Sequence, residues 1–319
     1  MNLFPDVRQQ ALMDDADSVF EREREPSRVL EDWSSRGWFS RPPTGDGLVD
    51  QALLFRVLGR HLGSGPFLAL TLAAGLAAEC GDEELSRRVA TGQELVALAQ
   101  ADVVGLSEVG ATTAGTFRVF DAPQARYVLV MSPHTVALVE RSERDSLHMR
   151  RCIDPSTSMG ILTLGARALY LGDHDWWMRG GVLVAAMAAG VAEATRDESA
   201  LHARTRLQFG KPIGTFQAIK HRCSEMAIQA EAAWCQVAFA ALSLGAGHED
   251  APDQVSAAKV VASAAALSNA SANIQNHGAL GCTTEHTAHL YLKRAWILEY
   301  LCGTSDYHQG QLLEGALLQ

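Results

Sequence analysis

No two of the six cysteines (Cys80, Cys152, Cys223, Cys235, Cys282, Cys302) form a CxxC pair. That spacing argues against a zinc site and suits reduced thiols in the cytosol. Positive charge is also short, with 27 Lys and Arg against 37 Asp and Glu and a formal net charge of −10. General nucleic-acid binding leans on clustered cations and is excluded as an expectation, whereas a phosphate-bearing cofactor needs only a few local donors. An apolar leader is missing: "MNLFPDVRQQALMDDADSVF" is acidic, so no export signal is expected. Long apolar runs are missing too. Residues 62–78 contain Gly63, Gly65, Pro66 and Gly75, and residues 260–284 are uncharged but rich in Ser, Asn and Gln. Neither suits the roughly 20 apolar residues of a spanning helix. The expectation is a cytoplasmic protein that uses neither membrane nor nucleic acid.

What is present separates into three regions by periodicity. Val7, Leu12, Met13 and Phe20, then Leu53, Leu54, Val57 and Leu58, recur at helical spacing, with Pro42-Pro43 and Gly45-Asp46-Gly47 marking a break between helices. From about residue 98 to 171 the pattern becomes short β-like runs: "VVGLSEV", "TFRVFDA", "RYVLVMS", "TVALVER", "GILTLGA" and "ALYLGD". From Asp175 onward, long helical segments joined by short loops predict a four-helix bundle. The reading is a mainly α chain with a small central β domain, divided as 1–97, 98–174 and 175–319. The late helices are faced with small residues, as in "VVASAAALSNASANIQ", which suits close helix approach within or between subunits.

One stretch interrupts these helices with chemistry. His202, Arg204 and Arg206 end one helix, "GKPIG" turns the chain, and Phe216 begins the next. Gly and Pro make this a sharp corner. A guanidinium there can grip a phosphate in two-pronged geometry, with Gln208 adding an amide and Phe209 a flat apolar surface; the alternative is a helix end whose arginines face solvent. A second constellation lies in "IQNHGALGCTTEHTAHLYLKRAWILEYLCGTSDYHQ", residues 274–309, where Gln275 precedes a turn with Gly278 and Gly281 and "GTS" closes the next helix.

Taken together, "RxQFGKPIxxFQ", "QxHGxxG" and the late "GTS" resemble the C-terminal domain of the acyl-CoA dehydrogenase family, over about residues 176–311. The resemblance implies the family's architecture, in which an N-terminal helical domain, a middle β domain and a C-terminal four-helix bundle follow in order. It implies FAD as cofactor and oxidation of the Cα–Cβ bond of an acyl-CoA thioester. It also implies that Arg206, Gln208 and Phe209 meet the FAD of a neighbouring subunit, with Arg206 on the pyrophosphate. Gln275 and the backbone at Gly278 and Ala279 would meet that same cofactor.

The chain departs from the family where the chemistry is done. That chemistry needs a carboxylate to remove the α-proton. The commonest base position, 27 residues after Gln275, is Cys302, and the minority position, 26 residues before Arg206, is Gly180. Residues 176–192 contain no Asp or Glu, which leaves Asp175 just outside. An ordinary thiol with a pKa near 8.5 would need strong activation to act as a base, so Cys302 reads as a small buried residue. In the β region, "LSEVGATTAG" keeps Ser107-Glu108 but has Val109 for the usual proline and Thr112-Thr113-Ala114 where Gly-Ser-Asp is usual.

The groups that reach a neighbour's FAD are thus kept, while those serving the chain's own FAD are eroded. This resembles the short, non-catalytic subunits of actinobacterial heterotetrameric acyl-CoA dehydrogenases, many of which act on steroid-derived CoA thioesters. The expected partners are a longer, catalytically complete subunit, an acyl-CoA substrate, and an electron-transfer flavoprotein or similar acceptor. Two alternatives stand beside it: a homomeric flavoenzyme with Asp175 or Cys302 as base, and a flavin-free scaffold. His286 and His289 have a metal-like spacing with only Glu285 beside them, and "GSG" at 63–65 lacks the preceding strand of a dinucleotide fingerprint.

Overall fold

The structure is a computed structural model that describes residues 5–23, 25–40, 46–101 and 107–317. Pro42, Pro43 and Gly45 of the expected helix break, and residues 103–106 of the run "VVGLSEV", lie outside the described residues. Ten helices occur among the described residues. Five precede the strands: α1 (Val7–Arg22), α2 (Pro26–Ser35), α3 (Asp46–Arg60), α4 (Phe67–Glu79) and α5 (Glu83–Ala90). Six strands follow: β1 (Val96–Ala101), β2 (Thr112–Phe120), β3 (Tyr127–Met131), β4 (Val136–Glu140), β5 (Ser146–Arg150) and β6 (Met159–Gly172). Then come α6 (His174–Thr205), a two-strand corner of β7 (Leu207–Gln208) and β8 (Lys211–Pro212), α7 (Gln217–Gly245), α8 (Ala251–His277), α9 (Ala288–Tyr300) and α10 (Ser305–Leu317).

These elements form two compact units, neither continuous in sequence. One holds residues 17–51 and 64–181. Its sheet runs β2-β1-β3-β4-β6-β5, and a further β2–β6 pairing closes five of the strands into a ring. Alternation decides what points inward: Phe117 and Val119 of β2, Val128 and Val130 of β3, Ala137 and Val139 of β4, and Leu162 and Leu164 of β6 share one buried cluster. The runs "GILTLGA" and "ALYLGD" are one long strand, and β4 shifts register against it between Leu138 and Val139. In the same unit, Asp82 caps α5 by accepting from the Leu85 amide at 2.9 Å and the Tyr170 hydroxyl at 2.6 Å. That hydroxyl is pushed up to about 12 by its bond to the carboxylate.

The other unit holds residues 5–16, 52–63 and 182–317, with α8 at its centre. α8 packs against α7, α9 and α10. Nine of its 27 residues are Ala, so its neighbours come close, and several of its polar groups are spent inside. Buried Asn269 donates to Ala192 O on α6 at 3.0 Å and to Met226 O on α7 at 2.9 Å. Buried Asn273 accepts from Ser199 and donates to Glu198, each at 2.8 Å. These bonds offset the cost of burying the amides, although Asn269 Oδ1 has no partner among the described residues, and each pairing fixes which helix faces which. α7 is long and apolar enough, by length and composition, to cross a membrane; Ala230, Ala233, Trp234, Val237 and Ala241 of its apolar face are buried within the protein.

Candidate functional site

The corner is built by local backbone chemistry. The Arg206 amide donates to His202 O at 2.8 Å, and the Ile213 amide returns to Arg206 O at 2.9 Å. Between them β7 and β8 pair as a two-residue hairpin whose central residues, Phe209 and Gly210, have φ of +55° and +77°. Positive φ at both central residues is the hairpin turn that follows the twist of its strands. For an aromatic residue the left-handed region is unusual, and here it leaves the Phe209 ring 90% exposed. The ring meets Phe216 edge-on at 6.1 Å, and Lys211 Nζ stands 4.6 Å over the Phe216 ring. At Gly214 a Cβ would come 2.9 Å from Ala203 O, so the chain can return against α6 only with glycine there.

The glycine turn closes α8. Gly278 has φ +63° and ψ −142°, a conformation essentially confined to glycine. At Gly281 a Cβ would lie 2.8 Å from Ile274 O. Gln275, Gly278 and Ala279 are exposed, as are Arg206 and Gln208. The side chains of Arg206, Gln208 and Gln275 donate to no protein atom among the described residues. The buried neighbours are committed: Arg222 of α7 donates to Asn276 Oδ1 at 2.8 Å, and His277 Nδ1 donates to Asn273 O at 2.8 Å. The structure brings corner and turn together through stacked rings, His202 on His277 at 4.0 Å and His277 on His286 at 4.2 Å between centroids. His202 was read from the sequence only as a helix end; His277 stands in "QxHGxxG" and His286 beside His289, but nothing local says that the three rings meet. Among the described residues no group of three His, Cys, Asp or Glu side chains could hold a metal ion, and His286 and His289 gather no further ligand.

At the commonest base position the structure places a sealed corner. Cys302 is buried, with φ +55°, and burial pushes its thiol up to about 12. Lys259 of α8 is fully buried beside it; its ammonium donates to Leu298 O at 2.8 Å and Leu301 O at 2.7 Å, capping the negative end of α9. Burial pulls that amine down to about 8. Glu299 accepts from the Ser305 amide at 2.9 Å, which commits its carboxylate to the start of α10. Asp175 lies exposed in the first turn of α6. In the strand unit, buried Thr113 donates to Gly110 O at 3.0 Å and Ser107 to Thr116 O at 2.9 Å, so both hydroxyls serve the turn itself.

His308 completes the sealed corner and gives a pH test. Its Nε2 lies 2.9 Å from Cys302 O and its Nδ1 3.2 Å from Ser256 Oγ. A carbonyl can only accept, so Nε2 carries the proton and Nδ1 accepts from the hydroxyl. Burial holds this imidazole down at about 4, against an ordinary value of 6.5. The folded state therefore binds fewer protons than the unfolded one. Its contribution is complete above pH 6.5 and is lost as the pH falls toward 4, by about 3 kcal/mol. Urea unfolding at pH 7, 5.5 and 4 should show that loss, and His308→Gln should shrink it.

A helical bundle and a small strand ring, with a donor-bearing corner joined to a glycine turn, share the fold of solved acyl-CoA and FAD-dependent dehydrogenases. Residues 178–317 match the family model of the acyl-CoA dehydrogenase C-terminal domain. The chain is 33% identical to the acyl-CoA dehydrogenase IpdE2 of Mycobacterium tuberculosis, over 79% of this chain and 72% of that protein. It is 34% identical to the acyl-CoA dehydrogenase FadE34 of the same organism, again over 79% of this chain but only 36% of that much longer relative. The fold matches a chain of the ChsE4-ChsE5 complex of M. tuberculosis with a TM-score of 0.84 at 22% identity, covering all of both chains. The chain belongs to the acyl-CoA dehydrogenase family, whose cofactor is FAD.

Proposed function

We propose that this chain is a non-catalytic subunit of a hetero-oligomeric acyl-CoA dehydrogenase, and that it completes the FAD site of a longer, catalytically complete partner. The observation that carries this reading is an asymmetry. Arg206, Gln208 and Gln275 are exposed with uncommitted donors, while the position of the usual base holds Cys302, a buried neutral thiol walled in by Lys259 and His308. The hydroxyls of Ser107 and Thr113, already used inside their own turn, support the same reading from the strand unit.

The donor set suits one face of a dinucleotide. A guanidinium and two amides match a pyrophosphate flanked by hydroxyls, and Phe209 supplies a flat apolar cover. Arg206, Gln208, Phe209, Gln275 and the backbone at Gly278 and Ala279 would hold the cofactor from this side. When bound, FAD accepts the hydride released from the substrate's β-carbon. This chain's residues neutralise phosphate charge, orient the cofactor and exclude water from one edge; the proton is taken by a base of the partner. An electron-transfer flavoprotein or a similar acceptor would serve as the assembly's redox partner, and the assembly would work in the cytoplasm. Steroid-derived CoA thioesters are the first substrates to assay, because many of the heterotetrameric enzymes whose short subunits this sequence resembles act on them.

Purification of the chain alone, then with an acyl-CoA dehydrogenase encoded beside it, tests the reading. The lone chain should be colourless, and the pair should be yellow and turn over acyl-CoA. Stoichiometric FAD and turnover in the lone chain would overturn it. Arg206→Ala should weaken flavin retention in the pair by about 10- to 100-fold, the worth of one charge-assisted bond. Retention at the unmutated level would remove Arg206 from the site.

A further inference from the structure

The three imidazoles of His202, His277 and His286 are the one cluster at this site that the reading above leaves without a task. They come from three separate places: the last turn of α6, the last residue of α8, and the loop before α9. Their rings lie one above another, with centroids 4.0 and 4.2 Å apart and planes inclined by 33° and 42°. His202 accepts the Arg206 amide on its carbonyl, and His277 stands directly before Gly278. The column therefore joins the corner to the glycine turn.

The hydrogen bonds set the charge of the column. His277 Nδ1 gives its proton to Asn273 O, and His286 Nδ1 accepts from the Ala288 amide at 3.0 Å. An imidazolium donates from both nitrogens, so a charged His286 could not keep the Ala288 bond. Two charged rings at about 4 Å would also repel each other across the stack. We propose that this column is a joint that holds the corner and the glycine turn in register while its rings are neutral, and releases that register when they gain protons, with His277 as the positioning residue.

The groups around the column set its direction. Arg206 faces it from the corner, Arg222 from α7 through Asn276, and His289 and Lys293 from α9. Glu198 of α6 is a carboxylate that acts on His277, with Oε2 taken by Asn273 and Oε1 by Thr287. Burial first, and then neighbouring His277, Arg206 and His286, hold His202 below its ordinary 6.5. Burial and His286 do the same for His277 against the opposing pull of Asn273 O and Glu198. Lowered values mean that the ordered state binds fewer protons, so the register is complete above about pH 6.5 and is lost as the pH falls below it.

Hydrogen exchange on the full chain tests the joint without any cofactor. Protection factors for the amides of residues 206–216 and 278–283 should fall by about tenfold between pH 7.5 and 5.5. In His277→Phe, which keeps a flat ring but cannot titrate, they should change little; His202→Phe gives the same comparison if the first variant does not fold. Unchanged protection in the unmutated chain, or an equal fall in both ring variants, overturns the proposal. The consequence for flavin rests on the half-site reading: the assembled pair should release FAD over the same pH interval, and the ring variants should retain it. Protection that falls as expected in a pair that never holds FAD would support the joint and refute the half-site reading instead.

Discussion

Gly190→Val is expected to leave no soluble, folded chain. Gly190 of α6 faces α3, and a Cβ built there lies 2.0 Å from Arg56 O and 2.9 Å from the Arg60 amide nitrogen. The contact is reciprocal, because a Cβ on Gly59 of α3 would stand 2.0 Å from Met187 O on α6. These are backbone atoms of helices, which cannot swing aside as a side chain can. Overpacking a core costs about 1–3 kcal/mol when side chains can yield. Here the two helices must separate, and the loss should exceed about 4 kcal/mol, enough to consume much of a domain's stability. Gly190→Ala should fold with a sharply lowered melting temperature. The control is Gly165→Ala in β6, where nothing lies within 4 Å of an added Cβ. Equal melting temperatures for these two alanine variants would show that α3 and α6 are not in backbone contact.

The same crossing marks the limit of what the sequence discloses. Glycines inside helical runs, as in "VLGRHLG" and "AAGVA", signal only that something comes close; which residue it is depends on partners about 130 positions away. The late helices were legible because their periodicity is local and long, and the corner because Gly, Pro and Arg punctuate it. β5 was missed: Ser146–Arg150 is almost entirely exposed, so it lacks the alternation that betrays a half-buried strand. β1, "VALAQA", is buried apart from half-buried Ala101 and lies across the boundary set at residue 98, and the single strand β6 was read as two runs parted at Arg167. Of the site, the donor set is written in motifs. The stacking of the histidine column is not, since His202 and His277 meet only because α6 and α8 end side by side. Lys259 carries no local signal either, because its three carbonyl partners come from a helix end about 40 residues on.

Glu193→Ala should cost about 3–5 kcal/mol, because it strands a charge rather than removing a weak surface pair. Glu193 of α6 is 1% exposed and binds Arg56 of α3 through both carboxylate oxygens, with Nε to Oε2 at 2.9 Å. The guanidinium is also stacked 4.2 Å from the Trp234 ring of α7, so one arginine fastens three helices. Remove the carboxylate and Arg56 remains held between those helices with its donors unmet, while the methylenes of Glu193 leave a gap. The double variant Arg56→Met, Glu193→Leu separates charge from packing: it restores apolar volume and leaves no buried ion, and should recover most of the loss. Chemical denaturation of the single and double variants measures both. If Glu193→Ala loses less than about 1 kcal/mol, the pair is behaving as a solvent-exposed one would, and the fastening falls instead to the glycine contacts beside it.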